Sequence, residues 1–216
     1  MRVVGEMACD GYALVEGMLP VEACMATLHQ ISTDLRRAGR RLEDMQSSSP
    51  LTSQEAVQVY GYHYPPMLML LWGLTPAMAM VCGRDLVPTY NYLRIYRAGD
   101  ICRVHADRPS CEYSLSLTIA YADDLVWDFD IGRSATPALC GGIEEGFDGP
   151  YESLGMAVGD AVVYEGLTRR HGRIRPNPNR WSAHVFCHWV DRDGPHVGSA
   201  FDGNLDRFGP VELTFA

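Results

Sequence analysis

The chain has 216 residues, of which 47% are hydrophobic and 21% charged, an ordinary globular balance with enough length for one sizeable core. A net charge of −9 argues against a nucleic-acid backbone as partner, because phosphate contacts need a basic face. Seven cysteines without a Cys-x-x-Cys pair exclude a zinc framework or a disulfide ladder and suit a reducing compartment.

The N-terminus carries early acids and no long apolar core, unlike a secretory signal. Residues 11–19 read as a short strand. Pro20 then opens a helix to about Arg37, with Val21, Cys24, Met25, Leu28, Ile31 and Leu35 at helical spacing. Residues 46–56, rich in Ser, Thr and Gln, are expected to form a flexible connection or a lid. An aromatic, irregular stretch, residues 60–66, precedes a second short helix. The apolar stretch 67–76 is too short and too interrupted by proline to span a bilayer, so a cytoplasmic chain with no membrane partner is expected.

The second half is strand-rich. Tyr92–Tyr96 is a strand, followed by a turn at Gly99 that leads into His105-Ala106-Asp107. Residues 111–121 alternate and are rich in β-formers, and residues 127–131 are expected to form another strand. Residues 132–155 hold six Gly and two Pro and read as a long loop around a hairpin. Gly159-Asp160 is a turn signal before a β-branched run to Tyr164. His171 is expected in the loop after that strand, and residues 181–190 form a strand buried on both faces, with Arg180 at its entrance.

Side chains two apart on an extended strand share a face, so His105 and Asp107 can grip one ion, with His171 arriving from a distant strand. Two neutral imidazoles and one carboxylate leave the opposite face of a metal open, the donor set that suits non-haem Fe(II) in oxygen chemistry. His184 and His188 face one side of the last strand and are expected to be packed or hydrogen-bonded, as are His29 and His63 structurally. Arg169, Arg170, Arg173 and Arg175 around His171 read as a solvated loop or a positive mouth for an anion. Arg94, Arg103, Arg108, Trp127 and Trp181 are possible pocket residues.

Taken in order, Tyr96-x-x-Gly99, His105-x-Asp107, Gly159-Asp160, His171 and Arg180-Trp-Ser182 resemble the 2-oxoglutarate and Fe(II)-dependent dioxygenases, nearest the prolyl-hydroxylase-like branch. The resemblance covers roughly residues 87–190. It implies a mainly β fold with supporting α-helices, a double-stranded β-helix or jelly roll, in a single domain over residues 1–216, with helical support at about 20–85. It implies His105, Asp107 and His171 as iron ligands, and 2-oxoglutarate and O2 as cosubstrates. Arg180, nine positions after the distal histidine, would hold the far carboxylate bidentately where many relatives in this branch have Lys. Ser182, Tyr96 and Tyr121 would assist it.

The implied reaction hydroxylates an unactivated C–H bond of an amino acid, a peptidyl residue or a small biosynthetic intermediate, with succinate and CO2 as coproducts. Halogenases of the superfamily lack the carboxylate ligand, so Asp107 points to hydroxylation. A cupin-like metal protein that hydrolyses, isomerises or senses without 2-oxoglutarate could use the same ligands. Arg180 separates the two readings, since the second needs no guanidinium facing the metal.

Overall fold

The computed structural model describes residues 1–137, 142–210 and 212–214. Twelve strands and three helices follow in chain order: β1 (Arg2–Val4), α1 (Met7–Asp10), β2 (Tyr12–Glu16), α2 (Val21–Arg37), β3 (Gln46–Ser47), β4 (Ala56–Tyr60), α3 (Pro66–Cys82), β5 (Leu86–Arg97), β6 (Cys102–His105), β7 (Tyr113–Tyr121), β8 (Phe129–Gly132), β9 (Tyr151–Leu154), β10 (Ala161–Glu165), β11 (His171–Arg173) and β12 (Trp181–Asp191).

The strands form two antiparallel sheets. The larger has the order β1-β2-β10-β7-β12-β5-β4-β3 and the smaller β6-β11-β8-β9. Sequential neighbours are mostly not spatial neighbours, the winding of a double-stranded β-helix.

Strand alternation explains where the core sits. On β5, β7 and β12, Leu93, Leu115, Leu117, Ile119, Ala183, Val185 and Cys187 join one apolar cluster with Ile31 of α2 and Leu71 and Met78 of α3. The alternate residues of the same strands point between the sheets. They are unusually polar for a buried surface: Arg94, Ser114, Ser116, Thr118, Ser182, His184 and His188 are all buried there. Buried polar groups are costly unless bonded or used, so this inner face marks the chemistry of the protein.

Most of the expected elements are present, with three differences. The second helix is not short: α3 runs 17 residues and continues through Pro76. No helix among the described residues is long and apolar enough to cross a membrane. The segment at 46–56 is a fastened strap rather than a free connection. Asp100 Oδ1 accepts bonds from Ser53 N (2.9 Å), Ser53 Oγ (2.7 Å) and Gln54 N (3.1 Å), and Leu51 O accepts from Arg103 N at 2.8 Å. His171 opens β11 instead of sitting in a loop. The expected hairpin at 132–155 is β8 paired with β9, and residues 138–141 of its loop lie outside the described residues.

Candidate metal centre

β6 and β11 pair with His171 directly opposite His105, which brings the two imidazoles to a centroid separation of 4.4 Å. Close pairing here requires Gly172, because a Cβ at that position would lie 2.6 Å from Cys102 O. Asp107 follows the end of β6. Its backbone N donates to Gly166 O at 2.8 Å, and Ser114 Oγ donates to its Oδ2 at 3.1 Å. That leaves Oδ1 facing the rings, 3.7 Å from Nε2 of His105 and 3.7 Å from Nε2 of His171.

The hydrogen bonds set the tautomers. His105 Nδ1 lies 2.8 Å from Arg103 O and His171 Nδ1 lies 2.8 Å from Arg169 O. A carbonyl can only accept, so each Nδ1 carries the proton and each Nε2 presents a lone pair to the centre. Burial pushes both imidazoles down to about 4, so they are neutral and ligand-competent near neutrality. Burial also raises the Asp107 carboxyl to about 6, a proton that a divalent cation would displace. Three donors on one side of a common point, within 4.8 Å of one another, fit a facial metal site.

Two cavities adjoin the triad, one bordered by all three residues and the other by His105 and Asp107. A narrow inner cleft is lined by Tyr92, Arg94, Tyr96, Phe129, Tyr164, Arg173 and Phe186, among others. An outer cavity of about 520 Å³ is lined by Gln58, Tyr60, His63, Tyr90, Arg108 and Ile143, among others. Tyr92, Arg94, His105, Asp107 and His188 border both.

Arg94 is the residue that stands out. It is only 4% exposed, no carboxylate among the described residues forms an ion pair with it, and its Nε has no hydrogen-bond partner among them. Its remaining contacts are weak: Nη1 donates to Tyr96 Oη at 3.3 Å, Nη2 donates to Gln58 Oε1 at 3.4 Å, and the guanidinium lies 5.1 Å from the Tyr92 ring centre. A buried cation without a counter-ion is strongly disfavoured unless an anion binds beside it. Arg173 is likewise buried, but it is spent on Trp127 O and on His184 Nδ1, 3.3 Å away.

The residues expected to hold a cosubstrate divide. Tyr96 lines the inner cleft, as expected. Arg180 does not: its side chain is 76% exposed and forms an ion pair with Asp123 at 2.8 Å, and its backbone N is held by the same carboxylate. It lies one residue before β12 begins, where the chain has left the space between the sheets and Asp123 offers a carboxylate at the surface. Ser182 faces inward but accepts from Asn177 Nδ2 at 3.1 Å and is not part of either cavity. Tyr121 donates to Met156 O at 3.0 Å and is likewise outside both.

The basic cluster around His171 is not a positive mouth. Arg170 pairs with Glu144 at 3.0 Å, Arg175 pairs with Asp128 at 3.1 Å, and Arg169 donates to Arg133 O. His184 is a bonded core histidine as expected, while His188 also borders the metal cavities. Arg103 donates to Glu145 and to the strap, and Trp181 lies on the outer surface.

Arg94 was within reach of the sequence. In Tyr92-Leu-Arg-Ile-Tyr96 the aliphatic residues alternate with aromatic and basic ones, so once Leu93 and Ile95 face the helices, Arg94 must face the space between the sheets, where the triad lies.

No family model matches the chain, and no curated protein matches it by sequence. Its architecture is similar to that of solved structures. One is SnoK, a non-heme alpha-ketoglutarate-dependent carbocyclase from nogalamycin biosynthesis (12% identity, 96% of this chain and 91% of that chain, TM-score 0.66). A second is the epimerase SnoN in complex with Fe3+, alpha-ketoglutarate and nogalamycin RO (12% identity, 98% and 89%, TM-score 0.64). A third is a Pseudomonas putida prolyl-4-hydroxylase (14% identity, 87% and 96%, TM-score 0.57). Together with the antiparallel winding of its two sheets, these likenesses show that the chain has the double-stranded β-helix fold of the 2-oxoglutarate/Fe(II) oxygenases.

Proposed function

We propose that the chain is a non-haem Fe(II) and 2-oxoglutarate-dependent dioxygenase that hydroxylates a C–H bond of a small molecule. The observation that carries the reading is the buried, uncompensated Arg94 facing the same cavities as a His/Asp/His triad. A dicarboxylate satisfies both at once, its keto-acid end at the metal and its far carboxylate on the guanidinium. A cupin-like hydrolase or sensor has no use for such a cation.

In this reading His105 and His171 bind iron through Nε2 and are held in orientation by Arg103 O and Arg169 O. Asp107 binds through Oδ1, with Oδ2 steadied by Ser114. Arg94 and the Tyr96 hydroxyl receive the far carboxylate. Tyr92, Phe129, Tyr164 and Phe186 wall the cleft and keep water from it, which strengthens each charged contact inside. Iron(II) and 2-oxoglutarate held by these residues would supply the oxidative chemistry, with succinate and CO2 as coproducts.

The outer cavity favours a small molecule over a peptide strand. Its volume of about 520 Å³ is within the range of ligand sites, and Tyr60, His63, Tyr90 and Tyr92 offer aromatic walls. The fold neighbours from nogalamycin biosynthesis support a small-molecule substrate, and the carbocyclase and epimerase among them define the outcomes against which hydroxylation is to be tested.

The test is an anaerobic titration of the Fe(II)-loaded protein with 2-oxoglutarate, followed in the visible region. A weak charge-transfer band that saturates is expected. A metal-loaded protein that shows no band and no 2-oxoglutarate binding would remove the proposal.

A further inference from the structure

We propose that Asp107, Cys111 and His188 form a second divalent-cation site beside the triad, selective for a thiophilic ion of the zinc class. One donor atom from each of the three lies within 4.8 Å of the others, and Cys111 and His188 are buried. All three border the outer cavity, which provides the entry path.

The hydrogen-bond network prepares the ligands. Ser114 Oγ lies 3.1 Å from Asp107 Oδ2, 3.3 Å from Cys111 O and 2.9 Å from His188 Nδ1, and when its single proton goes to either oxygen, His188 Nδ1 is the donor to that hydroxyl. His188 Nε2 then carries a lone pair, and it is buried with no hydrogen-bond partner. This is the state in which a histidine ligates a metal, with its other ring nitrogen oriented by a neighbour. The Asp107 carboxylate divides its oxygens in the same sense: Oδ1 lies near His105 and His171, and Oδ2 accepts from Ser114. Asp107 is thereby placed to bridge two ions.

The third donor selects the ion. Cys111 Sγ lies 3.1 Å from the Tyr90 hydroxyl and has no disulfide partner. A thiolate, an imidazole and a carboxylate together suit zinc, cobalt or nickel and not magnesium or calcium. Binding exchanges the thiol proton of Cys111 for the cation, so one proton is released and the thiolate, with a share of the Asp107 charge, offsets the ion. Arg108, whose guanidinium sits 4.5 Å from the Tyr90 ring centre, opposes the ion and limits affinity.

Cobalt is the probe, because a thiolate ligand gives Co(II) a near-ultraviolet charge-transfer band that imidazole and carboxylate do not. Metal-free full-length protein titrated with Co(II) is expected to bind two equivalents and to develop this band. His105→Ala, which disables the triad, is expected to keep the band, whereas Cys111→Ser is expected to lose both the band and one equivalent. His188→Gln is expected to weaken the band's midpoint by tenfold or more, an independent check should Cys111→Ser fold poorly. A single equivalent without the band, or a band that survives in folded Cys111→Ser, overturns the proposal. The readout does not involve 2-oxoglutarate, so a missing iron chelate with a cobalt thiolate band present would sink the dioxygenase reading alone.

Discussion

Arg94 on β5 is paired in register with His184 on β12, with both side chains between the sheets. The strand expected to carry the carboxylate anchor therefore presents an imidazole at that depth, and the guanidinium comes from its neighbour. His184 is already engaged, with Arg173 Nη2 3.3 Å and Thr118 Oγ1 3.4 Å from its Nδ1.

The first prediction concerns that exchange. Arg94→Ala is expected to weaken 2-oxoglutarate binding about 30- to 150-fold, since a charge-assisted bidentate pair contributes on the order of 2–3 kcal/mol. Arg180→Ala is expected to change it less than about twofold, because that side chain is exposed and paired with Asp123 at the surface. Calorimetric titration of both variants, with metal content measured in parallel, checks this. The reverse ranking would return the anchor to Arg180.

The second prediction concerns the triad and its support. Iron content should fall sharply in His105→Ala and in His171→Ala while the far-ultraviolet spectrum is kept. Gly166→Ala should weaken metal binding about 10- to 100-fold, the usual effect of disturbing a ligand's support. A Cβ there would lie 2.6 Å from Asp107 Oδ2 and 2.3 Å from Cys111 O, so the carboxylate has to move. The same clash should cost about 1–3 kcal/mol of stability. Unchanged iron affinity in Gly166→Ala would show that Asp107 is not held where it ligates.

The third prediction is acid sensitivity of the metal-free protein. Burial lowers His105 and His171 to about 4, His188 to about 3 and His184 well below its ordinary value. In the unfolded chain these groups protonate near pH 6.5, so between about 6.5 and 4 the unfolded state binds more protons and stability falls as pH falls. Asp107 acts in the opposite sense. Burial raises it to about 6, so the folded state holds a proton that the unfolded carboxylate gives up, offsetting the share of one histidine. The net slope is at most about 4 kcal/mol per pH unit near pH 5. Urea midpoints at pH 7 and pH 5 test it, and a flat profile would mean that the histidines are not buried neutral.

The fourth prediction concerns the outcome of turnover. With Asp107 as the proposed carboxylate ligand, the position a halide would need is filled, so turnover with chloride abundant should still insert oxygen from O2 and form one succinate per product. Mass spectrometry under 18O2 reads this directly. Chlorinated product, or unlabelled cyclised or epimerised product, would replace hydroxylation with another outcome of the same centre.

The sequence by itself brought forward the three residues that gather as the His/Asp/His triad, and the class of fold. His105-x-Asp107 and His171 are separated by strand signals that alternate with a period of two, and a pleated strand leaves such residues little choice of face. The helical spacing of Cys24, Leu28, Ile31 and Leu35 likewise packs α2 against the core, whereas Val21 and Met25, expected on the same face, are exposed. Strand alternation alone turns Arg94 inward, and the tertiary structure adds the reason for preferring it to Arg180 as the proposed anchor, since only the fold shows Arg180 leaving the space between the sheets. Arg94 and Arg180 are equally basic and both lie at or beside strands, and a local pattern does not say which will meet a carboxylate at the surface. Asp123 captures Arg180 from 57 positions away, and the turn before β12 carries it out of the barrel. The strap at 49–54 has the same origin: its polar composition reads as a loop, and the buried Asp100 that fastens it lies 47 positions from Ser53. Hydrogen bonds between residues so far apart depend on strand register, and register is settled by the packing of the whole sheet.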